Sequence, residues 1–113
     1  MKKYIAAVIF ALSASQAFAG WTDSAVPSRV DLDRGNGFMV WGDFGNPNSC
    51  QNGDQFYVNK DHPQYKEIYS MVLTAIVSGR MVKAYITSCE QALWYSSNTT
   101  NTMKGADSVI QFK

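Results

Sequence analysis

Much of what catalysis and metal binding are built from is scarce in this chain. Its 113 residues hold one histidine, two cysteines and three prolines. With His62 as the only imidazole, a His-rich metal cluster is excluded, and any histidine base would have to be that residue. Neither a Gly-x-Ser-x-Gly turn nor any other nucleophile motif stands beside it. His62-Pro63 instead suits the turn that begins a helix. Charged residues make up only 17% and nearly balance, which excludes the basic field that grips nucleic acid. Beyond the N-terminus there is no apolar run of membrane-spanning length, so no membrane insertion is expected.

What is present begins with a targeting pattern. Met1-Lys2-Lys3 is a charged start, residues 4–13 form a short apolar core, and Ala17-Phe18-Ala19 is a small-x-small cleavage signature. The expectation is a bacterial signal peptide over residues 1–19, cleaved before Gly20, and a secreted or periplasmic product. That leaves one domain over 20–113, and the loss of Lys2 and Lys3 moves the formal charge from +1 to −1. In an oxidising compartment the two cysteines have one intramolecular pairing, Cys50–Cys89. The bridge would close a 39-residue separation and add roughly 3–4 kcal/mol in the chain-entropy picture.

Hydropathy patterning then sets the elements. Residues 28–34 alternate, with Val30 and Leu32 opposite Arg29, Asp31 and Asp33, as in a half-exposed strand. Gly35-Asn36-Gly37 is a tight turn, and Phe38-Met39-Val40-Trp41 is apolar on both faces, so a hairpin is expected. Residues 45–54 read as loop and 55–59 as a short strand. From Asp61, a candidate N-cap, the period changes: Tyr65, Ile68, Tyr69, Val72 and Ile76 form the stripe of a helix over about 62–78, closed by Gly79. Residues 81–87 alternate as a strand, 92–96 are apolar, 97–102 read as polar loop, and 108–112 close the sheet. The order β-β-β-α-β-β suits a mainly β chain with one helix, a small five-stranded OB-like barrel. Another α+β sheet covered by one helix is the alternative.

The stretch from Tyr65 through Ser78-Gly79 to Tyr85, with the start Gly20-Trp21-Thr22 and Ser28-Arg29-Val30, resembles the B subunits of the subtilase-cytotoxin and pertussis-like toxin family. The loop Asn46-Pro47-Asn48-Ser49-Cys50 also resembles one found in other small exported bacterial proteins. The toxin resemblance implies a ring of five identical chains, an enzymatic A subunit as partner, and recognition of cell-surface glycans. It further implies that a first-strand serine, here Ser28, touches sialic acid. The family's tyrosine on the strand after the helix falls on Ile86, with Tyr85 one residue away on the opposite face of the strand.

Aromatic residues carry the main signal for binding, because sugar C–H faces stack on rings while hydroxyls seek polar groups. Trp41 and Tyr69 are expected in the core by their pattern. Tyr85 and Trp94 fit core or surface. Asp31 and Asp33 share a strand face, but Arg29 lies among them, and hard cations want more oxygen ligands than two, so no metal is expected. No cofactor motif occurs. The reading is a non-catalytic exported binding module for glycan, with Ser28, Arg29, Asp31 and Tyr85 as its surface. A protein-binding accessory or inhibitor of the cell envelope is the alternative, and a small hydrolase a third.

Overall fold

The first hairpin forms where alternation requires it. In the computed structural model, which describes residues 20–92, 97–105 and 107–113, the chain opens with β1 (Gly20–Trp21). β2 (Arg29–Asp33) then turns into β3 (Gly37–Trp41). The turn is Arg34-Gly35-Asn36, one residue earlier than the glycines suggest. Arg34 and Gly35 take φ values of 44° and 84°, and the Asn36 N–H donates to the Asp33 carbonyl at 2.7 Å. β3 is buried on both sides, as its unbroken apolar run predicts.

β4 (Asn52–Asn59) starts three residues earlier than expected, and an irregularity between Asn52 and Phe56 absorbs its turn-like residues. Helix α1 (Tyr65–Ser78) starts later than residue 62. Asp61 does not cap it. The N-cap is Gln64 without a side-chain cap, and residues 61–64 form a turn in which the Tyr65 N–H donates to the His62 carbonyl at 3.0 Å. Gly79 ends the helix in the left-handed region at φ 72°, and its N–H donates to Ala75 O at 2.9 Å. Ile68, Val72 and Ala75 pack inward against Phe38, Val40, Phe56 and Val58, the main core. Tyr69 is half-buried, its ring 5.2 Å from Phe38.

β5 (Val82–Ile86) keeps its period-two pattern, burying Val82, Ala84 and Ile86. After Thr87 alone comes β6 (Ser88–Gln91), so one extended run feeds two sheets. β7 (Thr99–Met103) overturns the expectation of a loop over 97–102, for Thr100, Asn101, Thr102 and Met103 are all buried. Polar composition suggests exposure, yet Asn101 and Thr102 find partners inside: Asn101 Nδ2 donates to Asn46 Oδ1 at 2.9 Å, and Thr102 Oγ1 donates to Thr100 O at 3.0 Å, while the buried Thr100 hydroxyl has no partner among the described residues. Threonine is also at home in strands. β8 (Val109–Phe112) is where the sequence puts the last strand.

Among the described residues the strands make two sheets, β1-β5-β8 and β2-β3-β4-β7-β6, and not the closed five-stranded barrel expected from order alone. The described residues are mainly β with a single helix. All neighbouring strands run antiparallel except β4 and β7. The disulfide joins Cys50 to Cys89 as expected, tying the loop before β4 to β6. Asn46 explains the Asn-Pro-x-x-Cys loop: its side-chain amide accepts from Cys50 N at 2.8 Å and donates to Cys50 O at 2.7 Å, clasping the cysteine's backbone. No helix among the described residues is long and apolar enough to cross a membrane. Residues 1–19, the expected signal peptide, and Trp94 within the apolar 92–96 stretch lie outside the described residues.

Candidate functional site

The outer face of the five-stranded sheet, opposite the helix, is the candidate site. Strand pairing lays a continuous row across it: Asp31, Met39, Tyr57, Thr102 and Ser88 stand side by side on β2, β3, β4, β7 and β6. One step along are Arg29, Trp41 and Gln55, and one step the other way are Asp33, Gly37 and Asn59. Met39, Tyr57 and Ala92 form a small second core on this face, with Trp41 against it.

Tyr57 owes its position to Gly37. A Cβ on Gly37 would sit 2.7 Å from Tyr57 Oη and 2.2 Å from the Val58 carbonyl oxygen, so only a bare Cα lets the ring lie there. The phenol donates to Asp33 Oδ2 at 2.8 Å, satisfying a carboxylate that is only 3% exposed. Beside Tyr57 opens a pocket of about 300 Å³. Asn36 comes to it from the β2–β3 turn, Asn59, Lys60 and Asp61 from the end of β4, and Glu90 and Gln91 from β6. The wall is braced: the Lys60 N–H donates to Asn36 O at 2.9 Å, Asp61 N–H to Asn59 Oδ1 at 2.9 Å, and Lys104 pairs with Glu90 at 2.9 Å. That hydrogen bond to Glu90 raises the Lys104 ammonium above its ordinary range.

Three of the four residues expected at the site do come together. Arg29 grips Asp31 with two hydrogen bonds, at 3.1 and 2.6 Å, and its guanidinium lies 4.2 Å from the centre of the Trp41 ring. Ser28 Oγ donates to the Trp41 carbonyl at 3.2 Å. Trp41, expected in the core, is therefore half-buried and a member of this face. Tyr85 is not part of it. Tyr85 stands on the outside of the three-stranded sheet, its ring 5.4 Å from Trp21, which carries Lys83 Nζ 4.6 Å above it. Ile86, where the toxin family has its tyrosine, is fully buried. The pocket residues Asn36, Asn59, Lys60, Asp61, Glu90 and Gln91 were missed, because β6 and the closeness of β6 to the end of β4 leave no mark in local pattern.

His62 does meet a hydroxyl, which sequence distance concealed. Its Nε2 is 3.0 Å from Ser108 Oγ, and both residues are buried. The proton inventory runs against nucleophile activation. Nδ1 accepts from the Gln64 N–H at 3.0 Å, so Nε2 holds the proton, while Ser108 donates its own to Gly105 O at 2.7 Å. The pair fastens the helix start to the approach to β8.

No protein-family model, no curated protein and no solved structure matches the chain.

Proposed function

We infer that the chain is an exported, non-catalytic binding module for carbohydrate, acting through the pocket beside Tyr57. The observation that carries this reading is the pocket's lining. Three amides, two carboxylates and an ammonium converge around one tyrosine in about 300 Å³, the lower end of ordinary ligand pockets. Amide groups both donate and accept, as hydroxyls do, so they suit a polyhydroxylated ligand. Trp41 lies four residues from Gly37 along β3, roughly 14 Å at strand rise, with Arg29 opposite it on β2, so a longer glycan would meet a second ring there and the polar groups of Ser28 and Asp31. Export is supported by the disulfide, which persists in oxidising compartments.

Strand order favours an opened OB-type arrangement. The parallel pair is β4 with β7, across the helix crossover, and β5 runs into β6 so that one segment supplies the central strand of the smaller sheet and an edge of the larger. In such folds ligands lie over the sheet face and its adjoining loops, which is where this pocket opens. That step is analogy from fold to function. Assembly into a ring of five and an enzymatic partner subunit rest on the toxin resemblance alone.

A second reading, a protein-binding accessory, draws on the other sheet. Trp21, Tyr85 and Val109 are cross-strand neighbours on its outer side, and Trp21 and Val109 are 44% and 48% exposed.

The test is nuclear magnetic resonance titration of the oxidised mature chain with a saccharide panel. Shifts at Asn59 and Gln91, lost in Gln91→Ala, support the carbohydrate reading. A panel without a binder overturns it, and binding that shifts only Trp21 and Tyr85 moves the site to the other sheet.

A further inference from the structure

We propose that the pocket beside Tyr57 selects uncharged saccharides and rejects anionic ones such as sialylated or uronic-acid glycans. This rests on the carbohydrate reading above, and it departs from the sialic-acid preference that the toxin resemblance implies. The argument is one of charge. Two carboxylates, Asp61 and Glu90, line the pocket, and the buried Asp33 stands directly behind Tyr57 at 2.8 Å from its hydroxyl. Against these three are two ammonium groups, Lys60 and Lys104. Lys104 is engaged by Glu90 at 2.9 Å. Lys60 stands beside Asp61 in the chain and in the lining. Further along the face Arg29, the natural fork for a sugar carboxylate, is already bound through two hydrogen bonds to Asp31.

An incoming carboxylate would thus have to break an existing pair or face the surplus negative charge. A neutral hydroxyl disturbs neither, and the amides of Asn36, Asn59 and Gln91 can donate to it or accept from it. Selectivity of this kind comes as much from repelling the wrong ligand as from attracting the right one.

The experiment is a glycan array carrying each neutral oligosaccharide beside its sialylated form, read with the oxidised mature chain, followed by titration of the best pair. The neutral member should bind about tenfold or more tightly than its sialylated partner, and its affinity should hold from ~0.1 to ~1 M salt. In the double variant Asp61→Asn, Glu90→Gln the gap should shrink, with the sialylated form gaining. Equal or tighter binding of sialylated forms by the natural chain overturns the charge argument and leaves the carbohydrate reading standing. Absence of binding to every pair overturns both.

Discussion

Tyr57 and Asp33 are locked together across the bare Cα of Gly37, the phenol donating at 2.8 Å to a carboxylate buried beneath the outer face. One glycine, one tyrosine and one aspartate on three adjacent strands thereby set the base of the proposed binding pocket. Tyr57→Phe should destabilise the fold by about 1.5–3 kcal/mol, because a buried charged acceptor loses its donor. Urea denaturation measures that loss, and saccharide affinity should fall with it.

Gly37→Ala tests the same geometry from the other side. The new Cβ would lie 2.2 Å from the Val58 carbonyl oxygen, a backbone atom that cannot swing away. A cost of about 1–3 kcal/mol from overpacking is expected. The amide resonances of β3 and β4 should shift, and a variant as stable as the parent would show that the strands part freely here.

The disulfide should matter to the pocket as well as to stability. Cys89 immediately precedes Glu90 and Gln91, so the bridge anchors one pocket wall to the loop before β4. Replacing both cysteines by alanine should cost roughly 3–4 kcal/mol by loop entropy. Thermal unfolding reads the stability, and titration should show weaker ligand binding even where the chain remains folded. Asn46→Ala, which removes the clasp on Cys50, should reproduce part of this.

Alkaline titration should reveal Tyr65. Burial, then its neighbour Tyr69, raises the Tyr65 phenol above the ordinary value of 10.0. A raised value in the folded state contributes stability that is present below the unfolded value and lost as pH climbs through the folded one. The chain should therefore weaken above about pH 10, and Tyr65→Phe should flatten that part of the stability curve. Denaturation midpoints on either side of pH 10 decide it.

Ser108→Ala separates a structural pair from a catalytic one. It leaves the His62 Nε2 proton without its acceptor and should cost about 1–3 kcal/mol. Saccharide affinity should not change. Loss of a hydrolytic activity in this variant would instead make Ser108 and His62 chemical partners.

Several elements were plain in the chain before folding. The Val30 and Leu32 alternation, the Tyr65 to Ile76 stripe with Gly79, and the Val82 to Ile86 alternation each state their period locally, and each element forms. The strands β6 and β7 do not: residues 97–102 look like loop because they are polar, and what holds Asn101 inside is a distant group, Asn46, 55 residues away. Tyr85 and Ser28 are candidates for one surface by sequence, yet Tyr85 lies on the three-stranded sheet and Ser28 directly precedes β2 of the five-stranded one.

Composition, period and cysteine count by themselves determined a small mainly β chain with one helix and one bridge, since those properties follow from near-neighbour chemistry. Tertiary structure decided how the strands divide into two sheets, which polar residues are interior, and where the pocket opens. Those depend on which strands pair across long stretches of chain, and strand pairing is settled by packing and by hydrogen-bond satisfaction that no local window contains.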